Sequence, residues 1–345
     1  MIRRVLCVLA AALLLAALLL VPDGKILSDA QNDYYIGETP AVALAVSPYG
    51  TALAVGALLA LLLFAVLCVR GSSESEPVNP DLILSYAALS LALGTVFARL
   101  LYCLVEIAFY AGPGGIGAIL RWWEGGLSMT GALAGTVLAA WLVWKHNGIA
   151  WEALAMSLPA VIVCARFGER FTGMGIGRDV DFEGLFAIPD MFGNVLNVWL
   201  IEMIVAILIW AAMIVWKRTD MHAPSGGWWL AAFVFIYGAL QILMESLRSD
   251  QHMIWGFVKS QQLFSFLAAL GCVTAFGWNC GRRVAAVVVS AAVAGAVFGI
   301  EKALDRLSIP AEWLYLVFFA VVAGYIAFGI SVMRRALKVN SSPIR

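Results

Sequence analysis

The sequence predicts an all-α, polytopic transmembrane helical bundle. Of its 345 residues 63% are hydrophobic and only 13% charged, the apolar residues fall in long blocks, and the charges fall in short clusters between them. A hydrocarbon core of about 30 Å requires roughly 20 apolar residues per helix, because a backbone without water must satisfy its own hydrogen bonds.

Ten blocks meet this requirement. The first, Val5 to Val21, follows Arg3 and Arg4. It reads as an uncleaved anchor rather than a signal peptide, because the small-residue stretch Ser28-Asp29-Ala30 lies far beyond the apolar run. Pro48 to Val69 ends at Arg70, and the polar loop Gly71 to Asp81 leads into Leu82 to Tyr110, which carries Arg99. Leu127 to Trp144 contains Gly131-x-x-x-Gly135, a spacing suited to close helix packing. Trp151 to Phe167 closes on Arg166 and Glu169, and Phe192 to Trp216 encloses Glu202. After a Pro- and Gly-containing loop, Trp228 to Leu247 carries Gln241 and Glu245. Leu263 to Trp278, Val284 to Ile300 and Trp313 to Met333 complete the set, and many of the 13 tryptophans sit near block ends as interfacial anchors do.

Basic residues concentrate in cytoplasmic loops. With the N-terminus inside, Arg3, Arg4, Arg70, Lys145, Lys217, Arg218, Arg282, Arg283, Arg334, Arg335, Lys338 and Arg345 share one side, twelve of the 22 Lys and Arg. The acidic loop with Asp23, Asp29, Asp33 and Glu38 falls on the other, so both termini are expected in the cytoplasm. Three regions follow: an anchor and outer loop over 1–40, a membrane core over 41–280 with a small periplasmic cap at 169–191, and two further helices with a tail over 281–345.

The formal net charge is zero and no basic tract stands out, which excludes nucleic acid as an expected partner. The six cysteines lie singly in or beside apolar runs, and His146, His222 and His252 fall in loops, so neither a metal centre nor a cofactor is expected.

Ionisable residues at membrane depth carry a cost of several kcal/mol unless paired or hydrated, and so mark function. Arg166, Glu169, Gln241 and Glu245 approach one end of the bundle from different helices, where they can form one polar cavity. Glu202 reads as internally paired rather than catalytic. Arginine suits a phosphate ester, because its planar fork bonds two oxygens and stays charged when buried. Arg166, Arg170 and Arg178 are the candidates, with Gly173, Gly175 and Gly177 letting backbone N–H groups approach the same ligand. The same residues also suit an interfacial turn whose arginines reach lipid headgroups.

The order of motifs resembles the prolipoprotein diacylglyceryl transferase family. Ala165-Arg166-Phe167-Gly168-Glu169 through Gly173-Met174 to Gly177-Arg178 aligns without gaps with the family hallmark. Pro48-Tyr49-Gly50, Ala98-Arg99-Leu100 with Tyr102, the Trp123 to Gly135 stretch, and Tyr237-Gly238 through Gln241, Glu245, Arg248 and Asp250 to Gln262 and Ser265 are similar to its other motifs in the same order. The match runs from Pro48 to about Gly271 and implies a seven-helix core, with one extra helix before it and two after. Thr130 stands where the family has histidine, Glu169 where it has asparagine, Met174 where it has glutamate, and Gln241 where it has a second arginine.

The resemblance implies a reaction in which a lipobox cysteine thiol of a prolipoprotein signal peptide takes the diacylglyceryl group of phosphatidylglycerol, at the outer leaflet of the bacterial cytoplasmic membrane. On that reading Arg166 neutralises the phosphate, with Arg178 or Arg170 replacing the missing partner. Tyr49 and Tyr237 donate to lipid oxygens, and Glu169 or Glu245 takes the thiol proton. Gly168, Gly177, Gln241, Arg99 and Thr130 line the substrate site. Glu245 also fits a structural partnership with Arg99 or Arg248. Two other functions stay open: a lipid-binding relative with altered or no chemistry, and a transporter or flippase.

Overall fold

The computed structural model describes residues 2–21, 46–72, 78–112, 115–122, 125–190, 193–219, 226–249, 254–255, 258–306 and 310–341. Asp23, Asp29, Asp33, Glu38, the Ser28–Ala30 stretch, Trp123, Glu124, His222, Asp250, His252 and Arg345 lie outside the described residues.

The helices follow the apolar blocks: α1 (Ile2–Leu18), α2 (Pro48–Gly71), α3 (Pro80–Val105), the short α4 (Ile107–Ala111), α5 (Met129–Trp144), α6 (Gly148–Glu169), α7 (Val198–Thr219), α8 (Gly227–Leu247), α9 (Ser260–Asn279), α10 (Arg283–Arg306) and α11 (Ala311–Ser341). Eight are long and apolar enough to cross a membrane, and α1 and α5 are shorter apolar helices. The chain is a multi-pass membrane protein.

Helix starts are written locally. Ser47 caps α2 by accepting from the Gly50 N–H at 2.8 Å, Ser128 caps α5 through Gly131, and Asn147 caps α6 through Ala150. Small residues then set the pairing. A methyl group added at Gly131 would come within 2.4 Å of the Phe97 carbonyl oxygen, and one at Gly135 within 2.3 Å of that of Leu93. These two glycines therefore let α5 lie directly on α3. On the other side α2 packs along α6 and α8 along α9. The helix α1 rests on α3 and pairs Arg4 with Asp81 across 3.1 Å. The extra helices α10 and α11 close on α9 and α8, where Ser290 and Tyr325 share a buried hydrogen bond of 2.8 Å and Gly329 faces the Phe235 ring.

Two expected boundaries move. The third block ends at Val105 because Glu106 leaves helical geometry, and its last apolar residues form α4. The sixth begins at Val198 rather than Phe192, because the preceding residues pair as a strand. That strand, β3 (Gly193–Asn197), lies between β1 (Ile176–Val180) and β2 (Ala187–Asp190) in an antiparallel sheet. A two-stranded hairpin, β4 (Ile254–Trp255) with β5 (Val258–Lys259), precedes α9. The helical bundle is thus as expected, and the sheet is an addition to it. Gly173 and Gly175, both at φ 70°, turn the chain out of α6 into β1, a backbone region that suits glycine.

Candidate active site

The sheet sits over the helix ends that carry the polar residues. In α6, Arg166 and Glu169 are three residues apart and face each other, with Arg166 Nη1 donating to Glu169 Oε1 at 2.6 Å. Glu202, in the second turn of α7, lies 3.2 Å from the same Nη1. In α8, Tyr237, Gln241 and Glu245 recur every four residues and so share one face. Gln241 Nε2 bridges Glu202 Oε1 at 2.8 Å and Glu245 Oε1 at 2.9 Å. Arg248 completes a ring: Nη1 donates to Glu202 Oε2 at 2.8 Å and Nη2 to Glu169 Oε2 at 3.2 Å.

Two guanidiniums thus alternate with two carboxylates, with Glu245 one amide away. All five charged residues are buried; Arg166 is 2% exposed and Glu202 3%. Breaking such a pair by removing one member costs about 3–5 kcal/mol, because the other charge stays buried and uncompensated. The ring nevertheless leaves capacity unused. Nε and Nη2 of Arg166 are buried and have no hydrogen-bond partner among the described residues.

Two tyrosines border the ring. Tyr49, in the first turn of α2, lies against Gly168, where an added methyl would come within 2.9 Å of its ring, and it feels the charges of Glu169, Arg166 and Arg248. Tyr237 lies beside Arg166 and stacks on Phe233 at 5.7 Å.

The structure therefore brings together Arg166, Glu169, Gln241, Glu245, Tyr49, Tyr237 and Gly168. It separates others. Arg178 projects from β1 to the Tyr315 ring of α11, 5.8 Å from its centroid, and Arg170 is exposed at the end of α6. The second guanidinium of the ring is Arg248. Arg99 spends its Nε, Nη1 and Nη2 on the carbonyls of Ile119, Gly125, Gly126, Ala118 and Arg121, which leaves no donor for a ligand and excludes it as the partner of Glu245. It fastens the loop between α3 and α5. Thr130 is half-buried in the first turn of α5 and makes no side-chain hydrogen bond among the described residues.

The glycines serve the protein rather than an open ligand cradle. An added methyl at Gly175 would meet Glu169 Oε2 at 2.6 Å, and one at Gly177 would lie 2.9 Å from the Leu247 carbonyl. Gly177 pairs with Arg248 as an isolated antiparallel bridge, and Ser249 bonds the Ile176 and Gly177 carbonyls, so β1 holds the end of α8 in place. Lys259 also donates to the Glu245 carbonyl at 2.7 Å, closing the last turn of α8.

Glu202 is internally paired, as the sequence predicts, and its partners are the site residues Arg166, Arg248 and Gln241. Arg248 stands in the sequence as part of the Tyr237 to Ser265 motif and as a candidate partner of Glu245. In the structure it donates to Glu202 and Glu169, which lie on other helices and which its place beyond the apolar block does not indicate.

A family model described as prolipoprotein diacylglyceryl transferase matches residues 40–278. The phosphatidylglycerol–prolipoprotein diacylglyceryl transferase of Streptococcus pneumoniae serotype 4 is 26% identical over 223 residues, which span 61% of this chain and 83% of that protein. The enzyme of the same name from Listeria welshimeri is 25% identical over 238 residues, 65% of this chain and 82% of its own length. The matched stretch contains the seven helices α2, α3 and α5–α9 and every residue of the charged ring, and on that match the chain belongs to the prolipoprotein diacylglyceryl transferase family.

Proposed function

We propose that the protein transfers the diacylglyceryl group of phosphatidylglycerol to the lipobox cysteine thiol of prolipoproteins, in the outer leaflet of the bacterial cytoplasmic membrane. The observation that carries this reading is the buried Arg166, whose Nε and Nη2 have no hydrogen-bond partner among the described residues, beside a second guanidinium. A phosphate diester can accept from both arginines at once, and a low-dielectric site strengthens each bond.

In the reaction the cysteine thiolate attacks the glycerol carbon that bears the phosphate. A carbon–sulfur bond forms, the carbon–oxygen bond to phosphate breaks, and glycerol phosphate leaves. Arg166 and Arg248 neutralise the charge that builds on the departing phosphate. Tyr49 and Tyr237 donate to lipid oxygens. Glu245 takes the thiol proton, since it is bonded to the neutral Gln241 amide, whereas both oxygens of Glu169 are occupied by arginines. Glu202 and Gln241 orient the arginines and Glu245. Gly168 gives Tyr49 room, and Gly177 positions Arg248.

Both termini lie in the cytoplasm on this reading. The basic ends of α2, α5, α7 and α11 support it, because all lie at the end of the bundle opposite the ring.

One observation favours a second reading, a relative that binds lipid without turnover. Both guanidiniums already face the ring carboxylates Glu169 and Glu202, so the phosphate competes with Glu169 for its site. A translocation path is disfavoured, because the charged ring gathers at one end of the helices instead of running through them.

The test follows diacylglyceryl transfer from phosphatidylglycerol to a lipobox-cysteine peptide in liposomes, with Arg166→Ala as control. Transfer that disappears in the control supports the proposal. Binding of phosphatidylglycerol without transfer selects the second reading.

A further inference from the structure

Beyond residue 278, where the family match ends, α10 builds one wall of a cavity that the family core alone does not enclose. The cavity holds about 440 Å³, within the roughly 300–1,000 Å³ of small-molecule sites. Its apolar wall includes Leu263 and Phe266 of α9 and Val297 and Phe298 of α10. Its polar residues lie together at one end. Gln262 donates to Glu301 Oε1 and to the Ile242 carbonyl, both at 3.0 Å, so the one acidic lining residue is already engaged. Lys302 and Arg306, also lining residues, are exposed and make no ion pair among the described residues; the Lys302 ammonium lies 5.7 Å from the Phe298 ring centroid.

We infer that this cavity is a second lipid site, occupied by one anionic phospholipid. An acyl chain lies along the α9–α10 wall and the phosphate meets Lys302 and Arg306. The argument is charge complementarity at a defined depth. The two cations sit one helical turn apart in the last turns of a membrane-length helix, where headgroups lie, and the apolar wall descends from them. A soluble anion has no use for the apolar wall, and a zwitterionic lipid leaves the two cations incompletely matched. The site is separate from the ring: none of Arg166, Glu169, Glu202, Gln241, Glu245 and Arg248 lines the cavity.

The test counts lipids retained by the full chain in native mass spectrometry, after delipidation and titration with phosphatidylglycerol or phosphatidylcholine. The expected result is a retained phosphatidylglycerol that survives in Arg166→Ala but binds at least tenfold more weakly in Lys302→Gln/Arg306→Gln. Ala294→Phe, which fills the cavity without changing charge, loses the same lipid. Unchanged occupancy in both cavity variants overturns the inference, as does equal retention of phosphatidylcholine. Loss of all bound lipid in Arg166→Ala, with the cavity variants normal, assigns retention to the ring alone and also overturns it. The two surface substitutions leave the core untouched, and a monodisperse elution profile confirms that they fold.

Discussion

Replacing Arg248 with glutamine tests the central geometric result, that the second guanidinium of the site is Arg248 and not Arg178. Arg248 donates at 2.8 Å to Glu202 and at 3.2 Å to Glu169, so its loss leaves one guanidinium facing two buried carboxylates, with Glu245 one amide away. Loss of one preorganised donor to a developing anion typically lowers kcat by about 10²–10³, or ~2.7–4 kcal/mol, and that is the expected effect on transfer. A stability cost of about 3–5 kcal/mol accompanies it, because a buried ion pair is broken from one side. Arg248→Lys keeps the charge but not the two-pronged fork and recovers part of the rate. Arg178→Gln loses a cation–π contact with Tyr315, worth about 0.5–1 kcal/mol at a partly exposed site, and does not touch the ring, so activity stays within about fivefold. The assay is peptide transfer in liposomes, with thermal melting of each purified variant as the folding control. Equal losses at Arg178 and Arg248, or a folded Arg248→Gln protein with normal transfer, would refute the assignment.

Three further substitutions probe the ring and its support. Glu169→Gln removes the internal anion that competes with the donor phosphate; charges about 4 Å apart at an effective dielectric of 20 interact by about 4 kcal/mol, and a tenfold or greater fall in donor KM is expected. An unchanged KM with a collapsed kcat would instead give Glu169 the proton-transfer role. Glu245→Gln should lower kcat by about 10²–10⁴ while donor KM stays put, the signature of a lost general base, and a parallel rise in KM would argue against that role. Gly135→Leu forces α5 off the Leu93 carbonyl of α3, at about 1–3 kcal/mol for overpacking, and should lower the melting midpoint; an unshifted midpoint would show that the close contact is dispensable.

Much of this protein is legible along the chain. Ten apolar blocks became ten apolar helices, eight of them of membrane-crossing length, because membrane thickness sets a length that hydropathy reports residue by residue. Polar residues inside those blocks pointed to the site for the same reason, and Arg166, Glu169, Gln241 and Glu245 do meet. The sheet was less visible. Its strands are four or five residues long and pair with each other across loops, so the stretch from Gly193 to Asn197 reads as the start of an apolar block until β1 and β2 flank it.

By itself the sequence determined the membrane bundle, the seven-helix core with its additions, and the residue types that gather at one end. Only the tertiary structure decided which arginine faces which carboxylate. Arg248 meets Glu202 and Glu169 across 46 and 79 residues of chain, Arg178 turns away to α11, and Arg99 is consumed by a loop. Hydropathy is a local property fixed by the solvent around each segment. Ion pairing depends on the rotation of each helix about its axis and on the β1 contact that pulls the end of α8 inward, and those are settled only when the helices pack.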